Sequence, residues 1–417
     1  MRCMDSFGSS IRYAVVLCGG SGRDMEPLSV GLPKSLITLL GVDVITRILQ
    51  GLKSAGVEGV IVVVQGGEQL RRRALQVGEE LGLEVEVVEQ GSLREVWGAL
   101  LAAKNSLVSR VGEGSFLLSY GDIVSTPRFY AKLVEDSSAA GYPVASVVLQ
   151  KDVTTYGVVK LGSNGVIERI VEKPVSLDPD MGGYVLAGAF VLPTSIFEFG
   201  GEEDGFIGVL NRFAKTYTLG ISVWEGVWVD LGYPWDVLTA SSKLLGELKQ
   251  SYISVHSRVS PTAIIEPPVV IEDGAVVDHH AVIRGPAYIG RNVYVGTGAL
   301  VHSFSSLEEG VSIGAYTEVS GSVLGPGTWV GRGCFIGNSV VGMKVVFEPH
   351  VTTLSVLRGS EMPARLEPTI SNGRPIHKMG SVIGNGARIG ANCVLYPSSR
   401  VETNADISPN TVLRSRV

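Results

Sequence analysis

The stretch "IEDGAVVDHHAVIRGPAYIGRNVYVGTGALV", residues 271–301, places an aliphatic residue at every sixth position: Ile271, Val277, Ile283, Ile289, Val295 and Val301. Extended in both directions, the series runs from Ile253 through Val259 and Ile265 to Leu307, Ile313 and Val319. A period of six fits neither a helix nor a hairpin, but it is the signature of a solenoid that turns once per three short strands. Each aliphatic residue points inward, and Gly, Asn, Asp and Pro in "IEDG" and "IGRN" supply the corners. Solenoids of this kind wind left-handed, against the usual crossover rule. A second run, Ile383, Ile389, Leu395, Val401, Ile407 and Leu413, closes the chain. Between them, residues 342–380 break the period and are expected to leave the solenoid as a long polar loop.

The first 245 residues obey another rule. Strand-like runs at Tyr13–Leu17, Val60–Val64, Val85–Val88, Phe116–Ser119 and Val144–Leu149 alternate with segments of helical spacing, such as Val44, Ile45, Ile48, Leu49 and Leu52. Short Val-rich strands without alternation, separated by amphipathic helices, predict an α/β domain with a doubly wound, mostly parallel sheet. Ligands of such sheets collect at the carboxyl ends of the strands. The expected boundaries are therefore 1–245 and 246–417, with a hinge in a short helix near Ser241–Lys249.

The whole chain has 417 residues, 45% hydrophobic and 18% charged, enough for sizeable cores and unlike a disordered tail. Its net charge of −6 and the lack of a basic run argue against nucleic-acid binding. Cys3, Cys18, Cys334 and Cys393 lie far apart without metal-ligand spacing, and read as reduced, buried thiols of a cytoplasmic protein. No apolar run is long enough to span a bilayer, so no membrane partner is expected.

The residues that can carry chemistry cluster in the first half. Gly19, Gly20 and Gly22 follow a strand directly and let backbone N–H groups approach a phosphate closely; a plain tight turn fits equally well. No P-loop pattern is present. Asp122 in "FLLSYGDI" and Asp230 in "WVDLGYPWD" end apolar strands. Two carboxylates there can hold Mg²⁺ against phosphates, while a helix N-cap and a turn residue are the plainer alternatives. Lys34 and Lys173 each adjoin a proline and are point charges suited to phosphate, or solvated surface groups.

Their order is more specific than any one of them. "LCGGSG", "LPK", "YGD", "YGVV", "EKP", "AGAFVL" and "WVDLGYP" succeed one another in a way that resembles the sugar-1-phosphate nucleotidylyltransferases. With the solenoid included, the chain looks most like the archaeal bifunctional enzymes that join uridylyl or thymidylyl transfer to a hexapeptide acetyltransferase domain. The resemblance implies a Rossmann-like nucleotidyltransferase domain, Mg²⁺ at Asp122 and Asp230, Lys34 at the nucleotide phosphates and Lys173 at the sugar phosphate. It also implies that Leu17, Gly19, Gly20 and Gly22 border the nucleotide and that Gly157, Glu172 and Gly188 touch the sugar. The implied substrates are UTP or dTTP and a sugar 1-phosphate, with a homotrimer built through the solenoid.

Three departures stand out. The family's G-x-G-T-R-x-x-P loop is Gly20-Ser21-Gly22-Arg23-Asp24-Met25-Glu26-Pro27 here, so Arg23 stands one place early and Asp24 takes the arginine position. Either Arg23 reaches the phosphates from its new position, or catalysis is impaired; the altered loop also fits a non-catalytic paralogue that binds nucleotide sugars and regulates a partner enzyme. Glu95-Val96-Trp97-Gly98-Ala99-Leu100 replaces the usual G-T-A-G-A-L, leaving the base open. In the solenoid, Arg332 and Phe335 occupy the His and Tyr positions of the acetyltransferase relatives and Ser355 that of the Asn. Only Lys378 still matches, so acetyl transfer lacks its base unless His350 or His377 serves.

Overall fold

The computed structural model describes residues 11–20, 22–92, 95–150, 153, 155–174, 182–201, 203–356, 369–371, 374–376 and 378–414. The chain divides into two compact units. One comprises residues 44–230 with the N-terminal residues through 21; the other comprises 22–43 and nearly all of the chain from 231 onward.

The first unit is built on a nine-stranded sheet. Tyr13–Cys18 lies parallel between Gly59–Val64 and Ser115–Tyr120, and Glu84–Glu89 extends the parallel part. These strands carry Val, Ile and Leu on both faces because both are covered: Val15, Val16, Val62, Val63, Leu117 and Leu118 are all fully buried. The expected strands and helices are present, the helices including Val44–Ser54 and Glu95–Val111. Beyond Ser115–Tyr120, the long strand Tyr184–Pro193 runs antiparallel and pairs in turn with Val144–Leu149 and Gly157–Leu161. A separate two-stranded ribbon joins Ile123–Ser125 to Trp228–Asp230.

The second unit is the solenoid. Three parallel sheets of eight short strands each form its sides, and every described rung repeats after one three-strand coil. The six-residue positions from Ile271 to Val319 point inward and are at most 1% exposed. Ile253 does not follow this expectation: it is 45% exposed, because the first coil has a neighbour on one side only. The period also continues where none was expected. Leu324, Val330, Ile336, Val341, Phe347 and Thr353 are buried in register with the rest, and strands Val346–Phe347 and Thr352–Thr353 lie inside the predicted loop of 342–380. Two steps of five residues, Val319 to Leu324 and Ile336 to Val341, hide the series in the sequence. The chain therefore leaves the solenoid after Thr353, and most of the segment that follows, His377 included, lies outside the described residues.

The helix expected as a hinge is Asp236–Gly246, and it packs with this same unit against strands Thr38–Leu39 and Val323–Leu324. Its first residue, Asp236, is 2% exposed and accepts the amides of Gly232 and Tyr233, which fixes the turn ahead of it.

Candidate active site

Because the central strands are parallel, their carboxyl ends share one edge of the sheet. Cys18 leads into Gly19 and Gly20, Glu89 into Gln90, and Tyr120 into Gly121 and Asp122. The Gly121 amide donates to the Leu17 carbonyl at 2.8 Å, tying the first and third of these loops together. Gln90, 5% exposed, lies so close to Gly19 that a Cβ there would meet its Oε1 at 1.8 Å. Its amide Nε2 donates to the Glu95 carbonyl at 3.3 Å.

Asp230 is placed by the short ribbon, where it registers opposite Ile123, the residue after Asp122. The ribbon is braced from below: the Ser125 hydroxyl donates to the Val227 carbonyl at 2.6 Å and the Trp228 indole to Ala187 at 2.9 Å. Asp122 occupies the turn between two strands and caps no helix. Both aspartates act on Tyr120. Burial raises its hydroxyl pKa above the ordinary tyrosine value first, and the charges of Glu172, Asp122 and Asp230 raise it further.

Glu172 ends the strand Ile167–Glu172 opposite Gly157, where a Cβ on the glycine would stand 3.1 Å from its Oε2. Although the residue is exposed overall, desolvation raises its carboxyl above the ordinary glutamate range, Lys173 opposes that shift, and Glu95 adds to it. Lys173 and Glu95 themselves adopt left-handed backbones, φ 41° and 60°, and such non-glycine strain gathers at functional sites. The Lys173 amide donates to the Tyr156 carbonyl at 2.9 Å, one step beyond the paired Gly157 and Glu172, and its side chain is exposed. Gly188 is buried at φ 78°, at the register shift between Leu186 and Phe190, with Tyr120 and Ile123 against its Cα.

Thus Leu17, Gly19, Gly20, Asp122, Gly157, Glu172, Lys173, Gly188 and Asp230 all belong to the first unit. Gly22, Arg23 and Lys34 belong to the second. Arg23 and Asp24 are exposed on a single 3₁₀ turn, Arg23–Met25, preceded by Gly22 at φ 65°; the Gly22 carbonyl accepts the Ser29 hydroxyl at 2.6 Å. Lys34 opens a second 3₁₀ turn, Lys34–Leu36, and is half-buried.

The departure at 95–100 has a structural reason. Trp97 is fully buried, donates its indole N–H to the Gly201 carbonyl at 2.8 Å and stacks with Phe206. That position has been given to the core. Sequence reasoning missed Gln90 and Tyr120; the signal for each was its place within two residues of the end of a predicted strand, Val85–Val88 and Phe116–Ser119.

The carboxylates suit a hard divalent cation, which takes oxygen donors and shares substrate phosphates. Among the described residues no group of three or more His, Cys, Asp and Glu is placed to hold a metal ion by itself. In the solenoid, Arg332 is exposed and Cys334 is a buried thiol pushed up to about 11 by burial, which makes it unreactive.

The family model described as "Nucleotidyl transferase" matches residues 13–247. The chain belongs to the nucleotidyl transferase family. Residues 249–358 match "GMPPB C-terminal domain" and 380–415 match "Bacterial transferase hexapeptide (six repeats)". Among similar proteins, the "Bifunctional protein GlmU" of Methanococcus vannielii is 28% identical, with 96% of this chain and 94% of that protein covered. The "Bifunctional sugar-1-phosphate nucleotidylyltransferase/acetyltransferase" of Sulfurisphaera tokodaii is 26% identical, with 97% and 98% covered. A solved structure described as a putative glucose-1-phosphate thymidylyltransferase from Bacillus anthracis has a TM-score of 0.50 at 18% identity, covering 58% of this chain and 98% of its own, and shows the shared fold. No described helix is long and apolar enough to cross a membrane.

Proposed function

We propose that this nucleotidyl transferase joins a sugar 1-phosphate to a nucleoside triphosphate, releasing pyrophosphate. The observation that supports the reading is the ribbon register: Asp122 follows the strand Ser115–Tyr120 at the carboxyl edge of the sheet, and Asp230 lies opposite Ile123, the next residue. So acidic a site repels two phosphorylated substrates unless cations enter with them. Asp122 and Asp230 would hold a Mg²⁺, which would supply the positive charge that neutralises the reacting phosphates. Lys173, beside the Glu172 carboxylate, pairs with the sugar phosphate, and Lys34 and Arg23 pair with the triphosphate. A sugar-phosphate oxygen bonds to the α-phosphorus, the bridge to the β-phosphate breaks, and that oxygen leaves with pyrophosphate. Neither oxygen needs a general base, because the attacking group is already an anion.

Gly157 and Gly188 leave room for the sugar, and Leu17, Gly19 and Gly20 border the base. The resemblance to uridylyl- and thymidylyltransferases makes UTP or dTTP the favoured triphosphate. The nucleotidyltransferase domain spans about 1–245 and the β-helix 246–417. The β-helix serves assembly into a homotrimer. Tyr294 and Trp329, 40% and 42% exposed, lie in one outward column of one sheet and need covering. With Arg332 and Phe335 at the acetyltransferase positions, acetyl transfer is not part of the reading. The site chemistry is that of a cytoplasmic enzyme supplied with triphosphates.

The deciding experiment measures pyrophosphate release over four triphosphates and a panel of sugar 1-phosphates, with Mg²⁺ and with a chelator. Release on at least one pair, abolished by the chelator, is expected. No release on any pair, with nucleotide-sugar binding retained, would establish the non-catalytic reading instead.

A further inference from the structure

Glu308 is a fully buried acid in the solenoid unit, and the proposed chemistry makes no use of it. A buried carboxylate costs several kcal/mol unless hydrogen bonds satisfy it, so its partners state its task. The Ser306 hydroxyl donates to Oε1 at 2.7 Å. Two further donors come from far upstream: the Leu40 amide to Oε1 at 2.9 Å and the Gly41 amide to Oε2 at 2.8 Å.

Leu40 and Gly41 form the two-residue loop of a hairpin between Thr38–Leu39 and Val42–Asp43. Both are left-handed, at φ 51° and 74°, which turns successive amides toward one side and makes an anion-binding concavity. A leucine in that conformation costs about 1–2 kcal/mol, so something must hold it there. Glu308 grips both amides. Glycine at 41 is required twice over, since a Cβ would also meet the Tyr288 hydroxyl oxygen at 2.2 Å.

The other end of the same segment is held too. The Thr403 hydroxyl donates to the Pro27 carbonyl at 2.8 Å and the Asn385 amide to the Leu28 carbonyl at 2.9 Å. The Met343 amide in turn donates to the Asn385 Oδ1 at 2.9 Å, fixing that side chain. Lys34 lies between these anchorages, in a turn closed by the Leu36 amide to Pro33 at 2.8 Å and the Ile37 amide to Lys34 at 3.1 Å.

We propose that Glu308 is a positioning residue for nucleotidyl transfer: by clamping the Leu40–Gly41 turn it fixes the backbone of the Lys34 segment, so the solenoid holds a phosphate-binding group of the reaction in place. The proposal rests on the reading of Lys34 as a triphosphate ligand. It gives the β-helix a task in catalysis beyond assembly.

The test uses the full chain with Glu308→Ala, Glu308→Gln, Lys34→Ala and the double variant Lys34→Ala/Glu308→Ala. UTP is varied at saturating sugar 1-phosphate, using the pair that the panel shows to turn over fastest. Glu308→Ala should lower kcat/KM for the triphosphate about 30- to 100-fold, as misplacement of a charged ligand does, with the sugar-phosphate KM within about twofold. Glu308→Gln keeps one acceptor oxygen and should lose less than about fivefold. In the Lys34→Ala background, Glu308→Ala should cost less than about twofold more, because both changes remove the same contribution.

Hydrogen exchange supplies a readout independent of turnover. The Leu36 and Ile37 amides should exchange about tenfold faster in Glu308→Ala, with strands Ala287–Ile289 and Val323–Leu324 unchanged. Unaltered exchange at Leu36 and Ile37, or effects of Glu308→Ala and Lys34→Ala that multiply, would overturn the proposal. If Lys34→Ala turns over normally, the phosphate reading of Lys34 fails while exchange still decides the clamp. Should Glu308→Ala not fold, Glu308→Gln must show the same acceleration on a smaller scale, and its absence refutes the clamp.

Discussion

Gly188→Ala is the sharpest structural perturbation of the candidate site. Gly188 is buried at φ 78°, so any other residue bears a left-handed backbone cost of about 1–2 kcal/mol. An added Cβ would stand 2.4 Å from Ile123 Cδ1 and 2.8 Å from Tyr120 Cδ2. Neither neighbour yields easily, because Ile123 is 2% exposed and the Tyr120 ring packs against Phe190 at 5.9 Å. Overpacking of that kind adds about 1–3 kcal/mol, for a total near 2–5 kcal/mol. In a unit of this size the melting midpoint should fall by roughly 4–20 °C. Gly112 provides the control: it has φ 63°, follows helix Glu95–Val111, and offers open space, with no atom within 4 Å of where an alanine methyl would sit. Gly112→Ala should show the backbone cost alone, about 1–2 kcal/mol. Tyr120 and Ile123 also flank Asp122, so Gly188→Ala should lower kcat/KM by about 10- to 100-fold at a temperature where it remains folded. Calorimetry and steady-state kinetics on both variants decide the matter. Equal melting of the two would refute the steric argument, and normal turnover by a destabilised Gly188→Ala would detach Gly188 from the site.

Three further outcomes are expected. Asp122→Asn and Asp230→Asn should each raise the Mg²⁺ concentration for half-maximal rate at least about tenfold, measured by pyrophosphate release; an unchanged Mg²⁺ dependence removes that residue from the metal. Arg23→Ala should lose roughly 30- to 1,000-fold in rate, or about 2–4 kcal/mol, while Asp24→Ala stays neutral or slightly activating; a wild type indifferent to Arg23→Ala leaves the phosphates to Lys34 and Mg²⁺. Light scattering at micromolar concentration should give three times the 44.2 kDa chain mass, and a monomer mass would refute the trimer.

How much of this could be read from the chain varies with the kind of interaction. The solenoid was legible because one inward residue per strand obeys a fixed count, and it became illegible where two five-residue steps shift the phase without changing the packing. The parallel strands were legible because burial on both faces leaves an unbroken Val-rich run. The antiparallel placement of Tyr184–Pro193 was not, since its ten residues read alike in either direction. Asp122 could be placed at a strand end from "FLLSYGD" alone, but the placing of Asp230 opposite the next residue, Ile123, depends on the register of a ribbon whose strands are a hundred residues apart. Glu308 was invisible for the same reason: its partners lie at positions 40 and 41, and nothing local marks it as more than a corner residue.

The altered glycine loop is where local reading misleads most. In sequence, "LCGGSGRDMEPLSVGLPK" is one motif, and an aspartate in it suggests repulsion of a few kcal/mol against a triphosphate. In the fold the motif is shared: Gly19 and Gly20 stay with the sheet, whereas the chain from Gly22 to Lys34 packs as part of the solenoid unit. Arg23 and Asp24 fall on one exposed turn, open to water. Two unit charges 4 Å apart interact by about 1 kcal/mol in bulk water, against roughly 4 kcal/mol near a protein surface, and salt weakens the interaction further. Exposure therefore removes most of the penalty that Asp24 would impose if buried. The same exposure leaves the long Arg23 side chain free to sample several rotamers. The substitution that looks disabling on paper is thus compatible with turnover, and the Arg23→Ala and Asp24→Ala rates decide whether Arg23 reaches the phosphates from its exposed turn.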